Sequence, residues 1–78
     1  MDKINFSIRY SDKGYDFNGN KLNEDNLYSG TQVLWKGNFY TTGNRRNNIV
    51  ELFTGKLFNR TVKMDKIRLI KVIINSNG

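Results

Sequence analysis

Residues 31–73 read TQVLWKGNFYTTGNRRNNIVELFTGKLFNRTVKMDKIRLIKVI, and their pattern decides the fold. Short runs of β-branched and aromatic residues alternate here with tight turns and end in the most apolar stretch of the chain. Gln32 to Trp35 reads as a strand, Lys36-Gly37-Asn38 as a turn or bulge, and Phe39 to Thr42 as the returning strand. Gly43 to Asn48, with three asparagines and two arginines, is expected to be the most exposed loop. Ile49 to Thr54 and Leu57 to Met64 flank the compact Gly55-Lys56 turn and read as a hairpin. Asp65-Lys66 then interrupts before Ile67–Ile74. From Leu69 onward that last run is apolar on both faces, as expected of a strand covered on both sides.

Working back toward the N-terminus, residues 4–10 alternate strictly. Ile4, Phe6, Ile8 and Tyr10 share one face, predicted to be buried, and Asn5, Ser7 and Arg9 the other. Ser11 to Gly14 carries turn chemistry, Tyr15 to Phe17 is a short extended piece expected to pair with the first strand, and Asn18-Gly19 is a further turn. Residues 20–30 form a loop or one short helical turn. Asn23 is its cap, Leu27 and Tyr28 pin it, and Gly30 is a candidate terminator. Asn75 to Gly78 is expected to fray.

The chain is one domain of 78 residues: an N-terminal strand or hairpin and loop over 1–29, a barrel over 30–74 and a tail over 75–78. Such a chain buries only about 60% of its unfolded surface. It has no cysteine for a disulfide and no histidine. Cys/His zinc sites and nucleophilic dyads or triads built on those residues are thereby excluded. The absence of an apolar h-region and of a membrane-length apolar run predicts a soluble, cytoplasmic protein. Abundant asparagine, lysine and isoleucine are a bias associated with AT-rich genomes, those of phages and mobile elements included.

Five or six short strands with no helical period imply an all-β fold, a small barrel closed to remove its edges. Gly30, Val33, Trp35, Gly37 and Tyr40, then Ile49-Val50-Glu51-Leu52, then Val62 to Ile70, resemble the SH3-like small barrels of the Tudor, KOW and bacterial SH3 type. The resemblance covers about residues 30–73. It implies five to six antiparallel strands, with Met64-Asp65-Lys66 as the single 3-10 turn before the closing strand. Residues 1–29 have no counterpart in it beyond an added hairpin.

Catalytic and cofactor motifs fail on inspection. Asp16, Asn18 and Asn20 have the spacing that opens an EF-hand loop, but Lys21 and Leu27 stand where glycine and glutamate are required. Thr54-Gly55-Lys56-Leu57 lacks the first glycine and the Ser/Thr of a P-loop. A non-enzymatic protein without a cofactor is expected.

Charge points elsewhere. Residues 1–30 carry four cations against five anions, a net −1, whereas residues 31–78 carry nine against two, a net +7. A basic segment interleaved with aromatics suits a polyanion, by phosphate neutralisation and base stacking; it also suits simple solubility. The candidate nucleic-acid contacts are Lys36, Arg45, Arg46, Lys56, Arg60, Lys63 and Arg68, with Lys66 and Lys71 in the same segment. Trp35, Phe39 and Tyr40 are the candidate aromatic contacts. Arg60 shares parity with Phe58 and Val62, so a bulge or a partly wet face is expected there. DNA or RNA is one partner class. The alternatives are a host protein bound by a phage or mobile-element module through Trp35, Phe39 and Tyr40, and a second copy paired at a sheet edge.

Overall fold

A computed structural model describes residues 3–77, with side chains described over 5–74. The elements in chain order are β1 (Lys3–Tyr10), β2 (Gln32–Trp35), β3 (Asn38–Arg46), β4 (Ile49–Thr54), β5 (Leu57–Lys63), a 3-10 turn (Met64–Lys66) and β6 (Arg68–Asn77). All six strands are antiparallel neighbours in one sheet, in the order β1-β6-β2-β3-β4-β5. The all-β expectation holds at that level.

Local chemistry accounts for the turns. Lys36 and Gly37 both take positive φ, 48° and 80°, which closes Trp35 onto Asn38 in a two-residue connection of the mirror-image kind that matches strand twist. Gly55 alone is left-handed in the β4–β5 turn, where Thr54 pairs with Leu57. The 3-10 turn forms at Met64–Lys66, its Met64 side chain buried.

Two bulges set which side chains face the core. In β3 the register steps from Thr42↔Leu52 to Arg45↔Val50, so one extra residue intervenes. In β5 it steps from Leu52↔Arg60 to Phe53↔Phe58. Opposed residues share a face. Thr42, Arg45 and Arg60 therefore lie on the core side with Leu52 and Val50, whereas Phe58 joins Phe53 on the outer side. The two phenylalanine rings meet edge to face at 5.7 Å.

The core is Leu22, Leu27, Val33, Val50, Leu52, Met64 and Ile67, with Trp35, Tyr40, Val62 and Leu69 packed at its margin. Two of those residues come from the N-terminal segment, which wraps the sheet as a belt. Asn23 caps a single turn there: its side chain accepts the N–H groups of Asp25 and Asn26, and Leu27 N–H donates to its carbonyl. The Gly14 N–H donates to Ile67 O at 2.8 Å, and Leu22 N–H donates to Gly14 O at 2.9 Å. The belt is thus tied to the start of β6. Tyr28, expected to pin this loop, is exposed; only its carbonyl acts, accepting the hydroxyls of Thr31 and Thr42.

Several expectations are corrected. The sheet is not closed into a barrel: β1 and β5 are its edges. There is no N-terminal hairpin, because β1 pairs with β6 over Lys3↔Asn77 to Tyr10↔Ile70, and Tyr15 bridges only to Lys21. The reason lies in β6, of which only Arg68 and Leu69 pair with β2. β1 pairs along the opposite edge of β6, so that beyond Leu69 the two strands run on as a ribbon without β2. β6 accordingly runs to Asn77 where fraying was expected, and Gly78 lies outside the described residues. The apolar face of β1 is exposed at Phe6, Ile8 and Tyr10, as are Val72 and Ile74 on β6. Neither the buried face nor the doubly covered strand is found; the side chain of Ile4 lies outside the described set.

Candidate nucleic-acid interface

Trp35 ends β2 on the core side, where its ring meets Tyr40 edge to face at 5.9 Å and 65°. Its remaining surface holds cations. The Lys36 ammonium, carried back by the β2–β3 turn, lies 4.9 Å from the ring centroid, and the Arg60 guanidinium 4.6 Å from it. A cation over an indole face is attracted by the ring quadrupole, by roughly 0.5–1 kcal/mol where exposed. Arg60 is further aligned by donating from Nε to Asn59 Oδ1 at 2.7 Å.

Beside this ring opens a shallow cavity of about 320 Å³ lined by Lys13, Trp35, Lys36, Val62 and Lys66. Among the described residues no carboxylate lines it. Lys66 arrives on the 3-10 turn and Lys13 on the belt, whose Gly14 packs against the backbone of Asp65. Two cations, Lys36 and Arg60, thus sit over the Trp35 ring, and Lys13 and Lys66 share the adjoining cavity wall with it. The arrangement can accept an extended anion, because no carboxylate among the described cavity-wall residues competes for its cations.

The remaining sequence-predicted contacts divide. Arg46, Lys63 and Arg68 register with Ile49 and Leu34, hence on the outer face. Lys56 sits in the exposed β4–β5 turn. Arg45 is not in an open loop. The expected loop over 43–48 is mostly β3, with only Asn47-Asn48 as the turn. The β3 bulge turns Arg45 inward, where it is half-buried, donating to Glu24 O at 3.3 Å and Ser29 Oγ at 3.5 Å while its Nε has no partner. Glu24 also accepts the Asn47 N–H. The predicted aromatic set divides as well: Trp35 and Tyr40 meet, whereas Phe39 opposes Leu34 on the other face. These three do not form one patch.

Sequence reading omitted Lys13 from the site. It lies in the half of the chain with net negative charge, and only Gly14, a residue suited to close backbone approach, hinted at the junction. Asp16, three residues before Gly19 and four before its partner Asn20, serves its own turn. Its carboxylate is held below the ordinary range chiefly by the Asn20 N–H at 2.8 Å, with the Asn18 N–H adding to it. Among the described residues no cluster of three or more acidic side chains is placed to hold a metal, and no helix is long and apolar enough to cross a membrane.

Comparison with protein-family models, with curated proteins and with solved structures gives no match.

Proposed function

We propose that this chain is a non-enzymatic, cytoplasmic nucleic-acid-binding protein that grips the phosphate backbone of DNA or RNA through the cations around Trp35. The observation that carries the reading is the pair Lys36 and Arg60 over the Trp35 ring beside a cavity that Lys13, Lys36 and Lys66 also line, with no carboxylate among its described lining residues. Because Lys36 and Arg60 already occupy the indole surface, Trp35 acts as a mount for phosphate-binding groups, and base stacking is secondary. An SH3-like assignment for residues 30–73 is part of the same proposal. It is supported by the 3-10 turn immediately before the last strand and by the return of β6 to β2.

The test is fluorescence anisotropy with labelled mixed-sequence oligonucleotides between about 20 and 300 mM salt. Three or four phosphates neutralised give a log–log slope of about −3 on duplex DNA. Replacing Lys36 and Arg60 together by glutamine is expected to flatten the slope by about 2, roughly one per lost phosphate contact. The outer-face pair Arg46→Gln and Lys63→Gln leaves it nearly unchanged. Equal flattening by both pairs, or no binding at low salt, rejects this site.

A further inference from the structure

Over Lys3–Tyr10 and 70–77 the sheet is reduced to β1 and β6, a two-stranded ribbon in unbroken register. One face of it carries the opposed pairs Phe6/Ile74, Ile8/Val72 and Tyr10/Ile70. The exposures are 67% for Phe6, 69% for Ile74, 56% for Val72, 42% for Ile8 and 40% for Tyr10. The opposite face carries Asn5, Ser7, Arg9 and Lys71 beside Ile73. No charged side chain interrupts the apolar face; Arg68, at the β2 end of β6, is the nearest charge on that side of the strand.

We infer that this apolar face is covered by the same face of a second copy of the chain. Two-stranded ribbons are marginal in water and need a further strand or a packed face to persist. Here β1 is an edge and no other strand reaches the ribbon beyond Leu69. The exposed apolar side chains amount to an area on the order of 500 Å² per copy, at the upper end of the largest patches seen on monomers. Two copies face to face remove about 1,000 Å² from water, the threshold at which a specific interface becomes credible.

The area makes a second copy the occupant, and two-fold symmetry accommodates it. A two-fold axis through the Ile8/Val72 pair sets Phe6 and Ile74 of one copy on Tyr10 and Ile70 of the other, so the patch is complementary to itself. Arg9 and Lys71 point away and Arg68 falls at the rim, so no cation lies within the contact. The dimer does not depend on nucleic-acid binding; it places two cation clusters on one particle.

Analytical ultracentrifugation from about 1 to 500 μM is the test. The wild type is expected to sediment with twice the chain mass at the upper concentrations. Ile8→Lys sets like charges together near the axis and is expected to raise the dissociation constant at least 100-fold, with the core's amide spectrum unchanged. Arg9→Gln with Lys71→Gln, on the far face, leaves the dimer intact. Should Ile8→Lys unfold, isotope-filtered NOEs in mixed labelled and unlabelled wild type decide instead, the expected contacts joining Phe6 of one copy to Tyr10 or Ile70 of the other. A wild type that stays monomeric throughout overturns the inference and leaves the face to a different protein. A dimer that survives Ile8→Lys, or lacks those NOEs, also overturns it.

Discussion

Replacing Leu27 by alanine tests whether the N-terminal belt is part of the fold or draped over it. The Leu27 side chain is fully buried, 0% exposed, among Val33, Val50, Leu52 and Met64, and its neighbour Tyr28 is 68% exposed. Truncating a buried leucine removes its transfer free energy and leaves a cavity, together about 2–5 kcal/mol. A chain of 78 residues has a total stability of only about 4–12 kcal/mol at ordinary values per residue. One substitution in a loop is therefore expected to forfeit a large part of the whole. At about 4–8 °C per kcal/mol for a domain this size, the melting temperature falls by about 8–40 °C. Tyr28→Ala, whose backbone carbonyl survives the change, stays within about 0.5 kcal/mol of wild type. The assay is thermal and urea denaturation followed by far-ultraviolet circular dichroism. Comparable melting of the two variants, or a Leu27→Ala shift under about 0.5 kcal/mol, refutes the belt's role in the core.

One further substitution and one titration bear on the same belt. Gly14 has φ +83° and an added Cβ would stand 2.9 Å from the Asp65 Cα, so Gly14→Ala is expected to cost about 1–3 kcal/mol; an unchanged or raised melting temperature counts against that packing. The lowered Asp16 pKa means the charged form is favoured by folding, so its contribution to the 16–20 turn is present above the ordinary carboxylate value and is lost as pH falls through the depressed one. Carboxyl chemical shifts followed by NMR check this, and a titration at or above the ordinary aspartate value contradicts it.

The strands of residues 31–73 were legible because their information is local. The Lys36-Gly37 and Gly55-Lys56 turns fix two hairpins without reference to the rest of the chain, and Phe53 and Phe58 meet across the second. What alternation did not disclose is coverage. Phe6, Ile8 and Tyr10 have the period of a half-buried strand, but a period states only that a face is apolar. What covers that face is decided by partners far away in sequence, here β6 alone. The apolar run from Leu69 misled for the same reason. Bulges defeated parity elsewhere: one extra residue in β3 carried Arg45 inward from the exposed position that the asparagines around it suggested. The candidate site was half legible. Lys36 and Arg60 were among the expected contacts, whereas Lys13 joins them only because the belt returns to the 3-10 turn.

Trp35 is the chain's single tryptophan, so its emission reports on the ring over which Lys36 and Arg60 sit. The most direct measurement is that emission during titration with an unlabelled single-stranded oligonucleotide at low salt, repeated at high salt. The account predicts a saturable change in intensity as phosphate draws Lys36 and Arg60 off the ring, abolished by salt and by the Lys36→Gln, Arg60→Gln pair. An emission that stays flat while anisotropy reports binding would contradict it.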